Sequence, residues 1–106
     1  MKVAAVLADL LLFSRIESAA RLAGAELIRV DAPDQLPPDG LDLILVDWAS
    51  RGPSWPDALR HRPGSRVVLF GPHTDLDAHA AARDAGLGPM WARSRLIGAL
   101  PTLLAG

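Results

Sequence analysis

Residues 43 to 47 read Leu-Ile-Leu-Val-Asp, and the fold turns on this stretch. Four apolar residues in a row, closed by a carboxylate, are too short for a helix. Their unbroken apolar character suits a strand covered on both faces, as at the centre of a parallel sheet. The pattern repeats on either side. Val3 to Leu7, Leu27 to Val30 with Arg29 inside it, Val67 to Phe70 and Met90 to Ala92 are short, mostly apolar runs bounded by capping or turn residues, and each predicts a strand.

Helical patterns fill the intervals. Asp9 stands at a capping position, and Leu12, Phe13, Ile16, Ala19, Ala20 and Ala23 recur at three- and four-residue spacing up to Gly24, with Arg15, Glu17, Ser18 and Arg21 on the other side. Thr74 reads as the cap of a second helix, with Asp77 at the capping-box position and a buried stripe through Leu76, Ala80, Ala81 and Ala85. Ser94 reads as the cap of a last helix through Leu96, Ile97, Leu100, Leu103 and Leu104, kinked at Pro101. Two connections are poor in helix. Pro33, Pro37, Pro38 and Gly40 allow no full helix between the second and third strands, and Pro53 and Pro56 leave space only for a short one around Asp57 to His61. Strands that alternate with helices pair in parallel through right-handed crossovers, so the class is α/β. With 106 residues and no repeat or linker, residues 1 to 106 are expected to form one domain.

Composition narrows the functions. Half the residues are apolar, 22% are charged and the formal net charge is −1, the balance of an ordinary globular domain. No cluster of basic and aromatic residues appears, so no nucleic-acid partner is expected. The absence of cysteine excludes disulfides, thiol catalysis and cysteine-ligated metals, and fits a cytoplasmic location. The apolar run to Phe13 has the outline of a secretory leader, but Asp9 in its middle opposes insertion, and no stretch predicts a membrane span. His61, His73 and His79 lack metal-ligand spacing, so no metal site is expected. Ser14, His73 and an acid are not expected to act as a triad, because no nucleophile turn surrounds the serine.

In doubly wound sheets ligands bind beyond the carboxyl ends of the strands. That rule selects Asp9, Asp47, Gly71-Pro72-His73 and Arg93-Ser94. Asp9 is read as a helix cap or a binding acid, Asp47 as a site residue or an ion-pair partner of Arg93, and His73 as a loop residue or a ligand contact. Arg93, the amides after Gly71 and the start of the Ser94 helix are read together with His73 as an anion- or partner-binding set.

The order of elements, Asp47 closing the third strand, and the Ala-Ala-Arg-Asp-Ala-Gly stretch at 81 to 86 resemble the receiver domain of bacterial response regulators, over nearly the whole chain. Asp9-Leu10, Ser14-Arg15-Ile16-Glu17 and Ala92-Arg93-Ser94 are similar to small stand-alone receiver-like proteins. The resemblance implies a three-layer flavodoxin-like fold, a five-stranded parallel sheet of order 2-1-3-4-5, here with an abbreviated helix between strands two and three. It also implies that Asp47 stands for the phosphoacceptor and that Asp9 belongs to the acidic site that holds magnesium. Other positions depart from the receiver pattern. Ala8 replaces a second acid, Gly71 stands where a Thr or Ser hydroxyl contacts the phosphoryl group, and Arg93-Ser94 replaces Lys-Pro.

Phosphoryl transfer to an Asp needs magnesium and a cation against the charge building on the transferring oxygens. The planar fork of Arg93 is not the point charge of a lysine, and one acid fewer predicts weak magnesium binding at most. The expected role is therefore a degenerate receiver-like signalling or protein-interaction module, not an enzyme and not phosphorylated in the usual way. The alternative is a small anion- or nucleotide-binding flavodoxin-like domain. Arg93 is expected to pair with Asp47 or Asp9. Trp48 and Trp55 lie in the shortened segment and are read as interface anchors for a protein partner or a weak homodimer, against the alternative that they fold back as lids on the core.

Overall fold

The computed structural model describes all 106 residues. Residues 43 to 47 form the central strand β3 (Leu43–Asp47), and all five are buried. Around it lie β1 (Lys2–Val6), β2 (Glu26–Val30), β4 (Arg66–Gly71) and β5 (Trp91–Ala92), all parallel, in the order β2-β1-β3-β4-β5. The helices are α1 (Leu10–Ala23), α2 (Trp55–Arg60), α3 (Leu76–Asp84) and α4 (Arg93–Leu104). This is the three-layer flavodoxin-like arrangement.

Side-chain alternation along β3 explains the two layers. Leu43 and Leu45 face a cluster with Leu12, Ile16 and Ala20 of α1 and Leu96, Leu100, Leu103 and Leu104 of α4. Ile44 and Val46 face a second cluster that contains Trp48, Trp55, Leu59, Ala78 and Ala82. A strand buried on both faces has no polar side, hence the continuous apolar run.

The abbreviated connection between β2 and β3 is a 3-10 turn at Pro33–Gln35 followed by an irregular loop. Gln35 Oε1 accepts from the amides of Asp31 and Ala32 at 2.8 and 3.3 Å. Arg62 donates to the Pro37 carbonyl and Ser65 to the Leu41 carbonyl. Held so, the loop inserts Leu36 and Leu41 into the second cluster and covers part of the face that the missing helix leaves, with Ile28 of β2 still exposed.

Three local expectations are corrected. The cap of α3 is Asp75, whose Oδ1 accepts from Ala78 N at 3.0 Å; the Asp75 amide is turned back onto the Pro72 carbonyl, so the helix begins after Thr74, and Leu76 is exposed. Ser94 is not the cap of α4. Strand β5 runs straight into the helix, Ala92 takes the extended capping conformation and no side chain caps it. As the sequence predicts, the helix runs through Pro101 to Leu104, where Leu103 and Leu104 are buried.

Trp48 and Trp55 are core residues and not exposed interface anchors. Trp48 is fully buried and its indole Nε1 donates to the Ala78 carbonyl at 3.0 Å, while Trp55 packs at the edge of the same cluster. The shortened segment brings the rings back onto the sheet because its small helix supplies too little apolar area, and two indoles make up the volume. The expected pairing through these residues loses the surface on which it was argued.

Candidate functional site

The site lies beyond the carboxyl ends of the strands, where β1 and β3 stand side by side with Val6 opposite Val46. Asp47 ends β3 opposite Phe70, and Gly71 follows one residue along β4, paired with Ala92 at the end of β5. Sheet register alone therefore brings the ends of β1, β3, β4 and β5 to one rim.

Asp9 initiates α1. Its Oδ1 accepts from the amides of Leu11 and Leu12 at 3.0 and 3.1 Å, filling two donors that a helix start leaves free. Its Oδ2 lies 3.8 Å from the guanidinium of Arg93. The cap and the ion-pair readings of Asp9 both hold, and Arg93 pairs with Asp9 and makes no ion pair with Asp47.

Asp47 is only 5% exposed. The chain leaves β3 in a 3-10 turn, Trp48–Ser50, which brings Ser50 Oγ to donate to Asp47 Oδ2 at 3.1 Å. Oδ1 is buried with no partner in the chain. Arg51 goes elsewhere, donating to the Trp48 carbonyl at 3.3 Å and stacking over the Trp48 ring at 5.5 Å.

Gly71 sits against Met90. A Cβ at position 71 would stand 2.8 Å from the Met90 sulfur and 3.5 Å from the Ala49 methyl. The space that a Thr or Ser side chain would need at the end of β4 is filled with thioether. Ala8 is exposed and brings no second carboxylate.

The remaining candidates contribute less. His73 lies on an exposed loop, and its carbonyl is 3.0 Å from Nε2 of His79. Ser94 is exposed on the first turn of α4. Magnesium finds a poor donor set, since the Asp9 oxygens face two amides and a guanidinium and no three acid or histidine side chains converge. Sequence reasoning missed Ser50 and Met90. A hydroxyl three residues after a strand-ending acid was the available signal for the first, and a glycine at a position that resemblance assigns to a hydroxyl was the signal for the second.

No protein-family model matches the chain, and no curated protein matches it in sequence. Among solved structures, the chain is similar to a response regulator receiver domain protein from Clostridium thermocellum, with a TM-score of 0.66 and 17% identity, covering 97% of this chain and 93% of that one. The fold is that of a receiver domain. No helix is long and apolar enough to cross a membrane.

Proposed function

We propose that this chain is a receiver-like signalling module that works by binding protein partners, without phosphoryl transfer to Asp47. The observation that carries this reading is the state of Asp47, buried with Ser50 on one oxygen and no cation on either. A phosphoryl group arriving there meets no lysine, no strand-end hydroxyl and no second acid, and the candidate cation, Arg93, is directed to Asp9. Since transfer depends on several such groups acting together, their joint loss is expected to abolish it. No residue is assigned a catalytic role.

The test is incubation with acetyl phosphate and magnesium followed by intact mass. The expected spectrum shows the unmodified protein alone. A phosphorylated species that disappears in Asp47→Asn overturns the proposal.

A second reading rests on the start of α4, where the first turn has neither a side-chain cap nor an acid and carries Arg93 and Arg95. Cations at the positive end of a helix are unfavourable unless an anion offsets them. This reading requires inorganic phosphate to shift the amide resonances of Ser94 and Arg95; the carboxylate of Asp9 beside Arg93 argues against it.

A further inference from the structure

At the β5 edge of the sheet, two arginines converge on one ring. The guanidinium carbon of Arg95, in the first turn of α4, lies 4.0 Å from the centroid of Trp91, and that of Arg66, at the start of β4, lies 5.9 Å from it. Trp91 is half-buried against the first core cluster, while both arginines are exposed. Neither guanidinium makes an ion pair or a hydrogen bond within the chain, whereas Arg29, Arg51, Arg60 and Arg62 all do.

An aromatic face orients a guanidinium and leaves its in-plane N–H donors facing outward. Two such forks on one rigid ring present a fixed array of donors with uncompensated positive charge. Carboxylates are the protein groups that match it, in geometry as well as charge.

We propose that the Arg66, Trp91 and Arg95 cluster is a docking surface for an acidic segment of a partner protein. The proposal rests on the protein-interaction reading above and names the chemistry of the partner. Nucleic acid is the less suitable polyanion, because Arg95 covers a face of Trp91 on which a base would stack, and the chain as a whole carries a net charge of −1.

The probe is a fluorescein-labelled acidic peptide of about ten residues, rich in glutamate, followed by anisotropy at low and at near-physiological salt. The wild-type protein is expected to bind it, with affinity falling as salt rises. The double variant Arg66→Ala, Arg95→Ala should bind about tenfold or more weakly. The control is Arg15→Ala, Arg83→Ala, which removes the same charge from two exposed arginines that also have no partner in the chain; it should bind close to wild type. Both pairs lie on the surface, and thermal melting confirms that each variant is folded.

The proposal is overturned if wild type fails to bind at about millimolar peptide, if the two doubles weaken binding equally, or if a single-stranded oligonucleotide of matching charge binds more tightly than the peptide. These failures are separable from that of the proposed function. A phosphorylated Asp47 would overturn the first reading with the peptide result untouched, and absent peptide binding would overturn this one with Asp47 still unmodified.

Discussion

The sulfur of Met90 stands 2.8 Å from the position that a Cβ on Gly71 would occupy, so the glycine at the end of β4 is favoured by its neighbour and not by its backbone, which has no positive φ. A hydroxyl-bearing side chain there has to displace the Met90 thioether, the flexible end of a buried side chain. Gly71→Thr is expected to destabilise the protein by about 2 kcal/mol through overpacking. The double variant Gly71→Thr, Met90→Ala should cost less than the sum of the two single variants, because the threonine enters space that the thioether vacates. Chemical denaturation of the single and double variants checks it, and a Gly71→Thr variant as stable as wild type would show the contact to be unimportant.

Asp9 serves two partners, and they contribute unequally. The cap bonds satisfy donors of α1, and losing such a cap costs about 1 kcal/mol. The pair with Arg93 spans 3.8 Å between side chains 45% and 39% exposed, so solvent screens it to about 0.5 kcal/mol or less. Asp9→Ala should therefore destabilise by about twice as much as Arg93→Ala, or more. A double-mutant cycle that gives a coupling energy comparable to the whole cost of Asp9→Ala would reverse this ranking.

A buried carboxylate oxygen without a partner carries a desolvation penalty of about 1 to 3 kcal/mol. Asp47 Oδ1 is such an atom. Asn at this position keeps an oxygen for Ser50 and exchanges an unpaired carboxylate oxygen for an unpaired but neutral amide nitrogen, so Asp47→Asn is expected to stabilise the fold by about 1 kcal/mol or less, a rise of a few degrees in Tm. A fall in Tm would mean that the carboxylate has a compensating partner and would weaken the proposed function.

Sequence made the sheet legible because the strands are short and β1, β3 and β4 are largely buried, so that apolar runs and turns coincide. Leu43 to Val46 is readable for that reason, and so is α1, where the spacing of Leu12, Ile16 and Ala20 and the glycine at 24, with φ 71°, mark both face and end. Caps near Thr74 and Ser94 were less legible. Several residues there are able to cap, and tertiary placement of the preceding turn or strand decides among them. At the rim, sequence named Asp9, Asp47 and Arg93 and expected a pairing, but which acid took the arginine depends on helix placement. Ser50 and Met90 left only weak signals as partners, because their contacts follow from a 3-10 turn and from packing against β4, neither of which is periodic.

The two tryptophans bear most directly on assembly. In the sequence they stand in a proline-broken stretch that resembles an exposed loop, yet Trp48 fills the layer between the sheet and α3 and its Nε1 bonds the Ala78 carbonyl inside that helix. Truncating it removes a large buried ring and leaves that carbonyl without its indole donor, so Trp48→Ala is expected to cost about 3 to 5 kcal/mol. Trp48→Phe retains most of the apolar area and loses the hydrogen bond, and should cost less. An interface anchor behaves differently: its truncation leaves the isolated chain about as stable as before and shifts sedimentation toward monomer. Denaturation and sedimentation across a concentration series, run on both variants, separate the cases. Unchanged stability in Trp48→Ala together with a concentration-dependent loss of dimer would return Trp48 to the interface and contradict the packing described here.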